Sequence, residues 1–355
     1  MTIHTPPVLS IVMPCFNHSE LISQMIDSIL ANDYNDWELL AVDDGSEANH
    51  LAVLNNYEAR DARIHVIKRD RLPKGAPTCR NIGFNMAQGE YIIFFDSDDY
   101  ITPTCLSTRV REIAQRPDLD FMVFPSATYE NGSFCPTPTS PACGYKVYKN
   151  AKAMFARRRL PFFVVNNIWR TSSLRNHGIT WDERLLSLQD ADFNIQALLR
   201  NLKFDYAYVL PDYGYRIAGN VQSVSKKMRS EEHRKSSLYA LDRFYREYQS
   251  AEGHRYDFSL FFGALWIYNH TLSDGFDKDF SHQTAKVVKK YSTFYGYLFG
   301  LMVSLSYFLS LFLPSKISRQ IPMLPYLLWK DIRLRIAVKQ MLQIYHSLLP
   351  THDSK

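Results

Sequence analysis

The chain has 355 residues, 46% of them hydrophobic and 22% charged, which fits a folded protein of one large domain plus an appendage, or two modest domains. A net charge of +5 suits an anionic substrate or a membrane surface but falls short of a nucleic-acid binder, so no nucleic-acid partner is expected. The five cysteines contain no Cys-x-x-Cys pair and Met1–Pro7 is polar, which argues against a zinc or disulfide framework and for a cytoplasmic catalytic part.

Val8–Met13 is a buried strand stopped by Pro14, and Cys15-Phe16-Asn17 follows as a loop. Asn17 and Glu20 have the spacing of a capping box, and Leu21, Ile22, Met25, Ile26, Ile29 and Leu30 recur at helical spacing. Trp37–Val42 predicts a second strand, ending in Asp43-Asp44-Gly45-Ser46, where Gly45 allows a tight turn. A helix over Ala48–Ala59, a strand over Ile64–Lys68, a basic loop over Arg69–Gly75 and a helix over Pro77–Met86 come next. Such alternation means a parallel sheet of βαβ units, an α/β fold of Rossmann-like type.

Tyr91–Phe95 is short, aromatic and β-branched, as expected of a strand covered on both faces, and it runs straight into Asp96-Ser97-Asp98-Asp99. Acids clustered at a strand's carboxyl end repel one another unless a cation or hydrogen-bond donors lie among them. The spacing of Asp96 and Asp98 lets a turn offer oxygen ligands to Mg²⁺ or Mn²⁺ while the metal also holds substrate phosphates. A turn whose acids cap the next helix explains one of the three readily and all three poorly.

Pro103–Gln115 predicts a helix and Phe121–Phe124 a short strand, and Asn131–Gly144 is a proline-rich loop or hairpin. Arg157-Arg158-Arg159 is either a solvated helix end or a cationic cluster for an anionic acceptor. Asn166–Arg170 and Ile179–Trp181 are expected to return to the sheet. A helix over Asp190–Leu199 opens with Gln189-Asp190-Ala191-Asp192-Phe193, and Tyr206–Leu210 and Tyr213–Ile217 are strand-like.

These pieces, from about Val8 to Lys227, resemble the family 2 glycosyltransferases of the GT-A fold, an inverting family that builds bacterial surface polysaccharides. The resemblance rests on Ile11–Asn17, Val42–Ser46, Cys79-Arg80-Asn81-Ile82-Gly83 before Gly89-Glu90-Tyr91, Asp96–Asp99 as an Asp-x-Asp motif, and Gln189–Phe193. Cys79 replaces the usual Ala, and Gln189 replaces the Glu of the family's Glu-Asp-x-x-Phe segment. It implies a nucleotide-sugar donor, with uridine the favoured base. Asp43 and Arg80 are the first candidates to hold the nucleotide, with Asp44, Pro14, Phe16 and Ser97 beside them. Asp96 would face the ribose and metal, Asp98 would be the direct ligand of Mn²⁺ or Mg²⁺, and Asp99 would support them. Asp190 is the catalytic base that the resemblance favours over Asp192, and a helix N-terminus there is expected to lower its pKa. Arg216 or Lys226, in a segment that closes over the donor in the family, would reach the diphosphate.

The reaction so implied moves a hexose or N-acetylhexosamine to a hydroxyl of a lipid-linked or oligosaccharide acceptor. A nucleotidyltransferase making nucleotide sugars is the competing enzyme class, but it calls for a Gly-rich phosphate loop that Pro14-Cys15-Phe16-Asn17 does not supply. A non-catalytic carbohydrate-binding relative would have little use for the acidic clusters.

Residues 1–228 are therefore expected to be the catalytic domain and 229–355 a helical region. Leu238–Tyr248 is amphipathic and Phe258–Ile267 apolar, and Ser292–Ser315 carries no charge. Lys316, Arg319, Lys330, Arg333, Arg335 and Lys339 follow, interleaved with apolar residues and with Tyr326 and Trp329. That pattern fits in-plane attachment to the cytoplasmic face of the inner membrane, with a true span, a soluble helical tail or a homodimer interface as alternatives.

Overall fold

The structure is a computed structural model describing residues 6–130, 132–137, 142–216, 230–271, 277–312 and 324–349, with backbone alone for 324–334. The apolar runs of the first hundred residues become β1 (Leu9–Cys15), β2 (Trp37–Asp43), β3 (Ile64–Lys68) and β4 (Tyr91–Phe94). They pair in parallel in the order β4-β1-β2-β3, with Leu9 opposite both Trp37 and Tyr91. The crossovers are α1 (Ser19–Leu30), α2 (Ala48–Arg60) and α3 (Ala76–Met86). β1, β2 and β4 are covered on both faces, which is why their sequences show no polar alternation.

The expected capping box does not form. The cap position of α1 falls on His18, in the left-handed region at φ 52°, with no side-chain cap. Asn17 turns away instead, its Oδ1 accepting from the Glu47 N–H at 3.0 Å and its own N–H donating to Ser46 Oγ at 2.8 Å. The loop after β1 is thereby fastened to the turn after β2.

After α4 (Cys105–Ala114), three more strands complete a seven-stranded sheet: β6 (Phe121–Val123), β9 (Asn167–Arg170) and β10 (Phe204–Tyr206), in the order β10-β6-β9-β4-β1-β2-β3. β9 runs antiparallel to both of its neighbours. A smaller sheet stands beyond the carboxyl edge, ordered β5 (Tyr100–Ile101), β11 (Tyr213–Tyr215), β7 (Ser126–Glu130) and β8 (Ser133–Phe134). Ile179–Trp181 does not join a sheet. The Asn81 side chain takes the place of a strand neighbour, donating to the Trp181 carbonyl at 2.9 Å and accepting from its N–H at 3.0 Å.

Helices α5 (Ala151–Ala156), α6 (Thr171–Asn176) and α7 (Gln189–Leu199) precede a carboxyl-terminal set: α8 (Glu231–Glu252), α9 (Asp257–Thr271), α10 (Lys278–Tyr291), α11 (Thr293–Ser310) and α12 (Leu324–Leu348). One core runs unbroken from Phe94, Phe121 and Trp169 through Phe193 to Phe244 and Leu265, so α8 and α9 share apolar cover with the sheet. On the opposite face, Ile11, Met13, Ile26, Leu39 and Leu106 form a second core. The end of α12 returns to the first two hundred residues, where Met341 is buried with Ala142 and Tyr145.

Candidate active site

The acids that follow β4 sit at the carboxyl edge of the sheet and are held from beneath. Asp99 is buried, accepting from the Tyr213 hydroxyl and, at 3.1 Å, from the Arg216 N–H. The Tyr213 oxygen also accepts from the Asp96 N–H at 3.2 Å. Asp212, one residue earlier, pairs through both carboxylate oxygens with the fully buried Arg109 at 2.8 and 2.6 Å. Burial, reinforced by Asp96 and Asp98, pushes the Asp99 carboxyl well above its ordinary pKa. Asp99 thus fastens the turn to Tyr213 and Arg216.

Asp96, Ser97 and Asp98 line a cleft of about 1130 Å³. Asp96 accepts from Arg80 Nη2 at 2.6 Å. Asp98 has no hydrogen-bond or ion-pair partner in another of the described residues, and desolvation, then the Asp96 charge, raise its pKa. It is open to solvent from the cleft while protein crowds it from the other sides. An all-oxygen pair with one unpaired, disfavoured carboxylate fits a hard divalent cation, which relieves the repulsion. Among the described residues no three His, Cys, Asp or Glu are grouped to hold an ion unaided, so substrate phosphates and water would complete its shell.

Asp43 and Asp44 take different positions. Asp43 is buried, does not line the cleft, and accepts from the Gly45 and Ser46 N–H groups at 3.2 and 3.1 Å. It forms an Asx-type turn made possible by Gly45 at φ 85°. Asp44 does face the cleft, paired with Arg69 at 2.6 Å and accepting from the Gly75 N–H at 3.1 Å. Pro14 and Phe16 line the same end, where Lys74 Nζ lies 3.6 Å from the Phe16 ring centroid. In the sequence Lys74 is one charge of a basic loop with no further signal.

Arg80 lies at the centre of the site. Its guanidinium stacks 4.3 Å from the Trp181 ring centroid, bonds Asp96, and donates to Gln189 Oε1 at 3.2 Å. These contacts engage it with the protein, so it orients Asp96 besides facing the cleft. Gln189 accepts from Arg80 and donates to the Leu185 carbonyl at 3.1 Å, both of which a neutral amide can do.

Asp190 lines the cleft and does not cap α7, whose cap is Leu188 in the left-handed region at φ 65° with no side-chain cap bond. Contrary to the expected lowering at a helix start, its pKa is raised to about 6. Desolvation dominates, and the Arg80 charge and a backbone hydrogen bond from Val164 offset it only in part. Asp192 is committed elsewhere: it is buried, pairs with Arg243 Nε at 2.6 Å and accepts from Gln196 at 2.8 Å. Arg216 contributes its backbone to Asp99, and its charge lowers the pKa of Asp98. Lys226 lies outside the described residues.

Clustered acids at the carboxyl edge of a mostly parallel sheet with one reversed strand are arranged as in the GT-A fold. The fold is similar to the crystal structure of Staphylococcus aureus TarS 1–349 in complex with UDP-GlcNAc, at TM-score 0.62 and 17% identity over 96% of this chain and 91% of that one. Residues 10–182, 173 of the 355, match Glycosyl transferase family 2, and the fold and the curated relatives agree with that match. The chain is 26% identical over 264 residues to the uncharacterized glycosyltransferase EpsJ of Bacillus subtilis, spanning 72% of this chain and 74% of that protein. It is 28% identical to the poly(ribitol-phosphate) beta-glucosyltransferase of Bacillus spizizenii over 66% of this chain and 39% of that protein.

Proposed function

We propose that the protein is an inverting hexosyltransferase of bacterial surface-polysaccharide synthesis, moving a hexose or N-acetylhexosamine from a UDP-sugar to a hydroxyl of a lipid-linked or oligosaccharide acceptor. The observation that carries this reading is one cleft holding an unpaired Asp98 and an Asp190 whose pKa is raised to about 6. The reaction is displacement at the anomeric carbon: the acceptor oxygen forms the new bond as the bond to the nucleoside diphosphate breaks. A pKa near 6 leaves Asp190 ionised at neutral pH and makes it a stronger base than an ordinary carboxylate. It takes the acceptor's proton as the hydroxyl attacks. A divalent cation held by Asp98 and Asp96 would supply electrostatic stabilisation to the departing diphosphate. Arg80 keeps Asp96 turned towards that place, and Asp44, Phe16 and Lys74 shape the nucleotide end. UDP is favoured by the resemblance and by the ligand of the similar TarS structure.

In this reading residues 1–228 do the chemistry while 229–355 wall the cleft and dock the enzyme on the cytoplasmic face of the inner membrane, where a lipid-linked acceptor resides. Supporting the wall, His233, Trp266 and Met341 line the cleft. Supporting the docking, Phe294, Tyr297, Leu301, Leu305, Phe308 and Phe312 are exposed along α11 and the loop after it, while Phe299 and Val303 on the other side are buried. Among the described residues α11 is the one helix long and apolar enough to cross a membrane by length and composition. Lying against the protein by one side, it suits in-plane contact. Lys316, Arg319 and the side chains of Tyr326, Trp329, Lys330 and Arg333 lie outside the described residues.

The test is calorimetric titration with UDP, GDP and dTDP, each with and without Mn²⁺, on the native chain and on Asp98→Asn. Mn²⁺-dependent binding of UDP that disappears in Asp98→Asn is expected. Binding of UDP that ignores both the metal and the substitution would remove Asp98 from the metal site.

A further inference from the structure

The cleft lining includes two arginines to which the proposed donor site assigns no role. Arg158 lines the cleft and is only 6% exposed, yet its Nε and Nη1 have no hydrogen-bond partner, and it has no salt bridge among the described residues. Its neighbour Arg159 also lines the cleft and has an unpartnered, buried Nη2. A buried guanidinium without an anion is costly, because desolvation is not offset by a paired charge. Here burial lowers the Arg158 pKa to about 10, a value at which it still carries its charge at neutral pH.

The protein nevertheless holds Arg158 in place with several devices. Its backbone is in the left-handed region at φ 61°, unusual for a residue with a side chain. Its guanidinium carbon lies 5.0 Å from the Phe244 ring centroid and 5.7 Å from that of Trp266, so aromatic rings of α8 and α9 orient the planar fork. Gly263 of α9 lets that helix approach: a Cβ there would come within 2.2 Å of the Ala156 carbonyl oxygen and 3.4 Å of Arg158 Cγ. The segment that leaves Arg159 reaches, at Val164, the backbone group that bonds Asp190. The arginine pair and the candidate base are thus joined by one short piece of chain.

We propose that Arg158 and Arg159 form an anion subsite for the acceptor: they grip an oxyanion, a phosphate or a carboxylate, carried by the acceptor near its reactive hydroxyl. The inference rests on the glycosyltransferase reading for which substrate the anion belongs to, but not for the existence of the site. Two guanidinium groups that line one cleft with buried, unpartnered nitrogens suit the paired oxygens of such an anion. The cleft, at about 1130 Å³, exceeds the range of about 300–1,000 Å³ usual for a single small-molecule site, leaving room for an acceptor beside a nucleotide sugar. An acidic repeating unit, such as a polyol phosphate or a uronic acid, is the substrate class that satisfies both the charge and the space.

Inorganic phosphate and, separately, acetate are titrated calorimetrically into the full chain, with and without saturating UDP and Mn²⁺. The same titrations are run on Arg159→Gln and Arg158→Gln, with thermal melts to certify folding. Phosphate or acetate is expected to bind with UDP present and to lose at least about tenfold in affinity in Arg159→Gln, as loss of a charge-assisted hydrogen bond predicts. The stronger of the two probes names the anion. Arg159→Gln serves as the decisive variant if Arg158→Gln does not fold. Absence of binding by both anions, or affinities unchanged in Arg159→Gln, overturns the proposal. UDP heats from the same cells report the donor reading separately: UDP binding without anion binding sinks only the subsite. Anion binding lost in Arg159→Gln while UDP fails to bind keeps the subsite and removes the donor reading.

Discussion

Two effects oppose each other at Asp190. A position in the first turn of α7 favours the carboxylate, typically by about 0.3–1 kcal/mol, whereas desolvation in the cleft wall disfavours it by more. Desolvation prevails, and the group titrates at about 6 against 3.8 for a free side chain. Transfer rate should therefore rise with pH and reach half its plateau near pH 6, while Asp190→Asn should cost on the order of 10²–10⁴ in kcat with little change in UDP binding. A flat pH profile between 5 and 8 in the native enzyme would contradict this role. The stability consequence has its own sign. A raised folded-state pKa favours the fold fully below the free value of 3.8, and that contribution is lost as pH rises through about 6. Asp190→Asn escapes the loss and should be more stable than the native chain at pH 8 by about 3 kcal/mol, since each pKa unit between 3.8 and about 6 counts about 1.4 kcal/mol. Equal urea midpoints at pH 8 would mean that Asp190 is not desolvated. The identity of Asp190 as an acid beside Phe193 was legible in the sequence, but its pKa was not, because burial is set by what packs over it.

At the scale of elements, the site depends on the turn after β4 and on the strand β11 that supports it. Arg109 from α4 reaches under both, binding Asp212 and also donating to the Val165 carbonyl at 2.8 Å. Breaking a buried pair by removing one partner strands a charge, so Asp212→Ala should destabilise the chain by about 3–5 kcal/mol. It should also weaken Mn²⁺-dependent UDP binding, because Tyr213 would no longer be anchored under Asp99 and Asp96. Chemical denaturation beside titration checks this, and a loss below about 1 kcal/mol would place the support elsewhere. The strands of the first hundred residues could be read directly, since continuous apolar runs have few alternatives. Ile179–Trp181 looked the same but is irregular, because Asn81, a hundred residues away, satisfies its backbone. The capping box at Asn17 failed for a similar reason: Glu47 and Ser46 offered that residue better partners than its own helix.

Over the whole molecule, the carboxyl-terminal helices are bound to the rest by buried contacts, so truncation is a poor probe of membrane docking. Removing residues 292–355 would take away Phe299 and Val303 from one core and Met341 from the cleft wall. Substitution on the exposed side is cleaner. Leu301→Glu with Phe308→Glu should abolish sedimentation with vesicles of anionic lipid while leaving the melting temperature within a few degrees, as surface substitutions change stability by about 0.5 kcal/mol. Unchanged sedimentation would refute docking through α11.

The βαβ alternation, the acids at the ends of β2 and β4, the family resemblance and the uncharged run from Ser292 could all be read from neighbouring residues, because periodicity and short spacing carry them. Which acids are free depends on contacts across the whole fold. Asp43, Asp99 and Asp192 are engaged by partners 2, 114 and 51 residues away, whereas Asp98 is left open and Asp190 is left desolvated in the cleft. Availability for chemistry is a balance of burial and partners over the whole fold, and sequence spacing alone does not contain that balance. The same holds for Arg158: its charge was visible in a run of three arginines, but its lack of a partner emerged only when α8 and α9 closed over it.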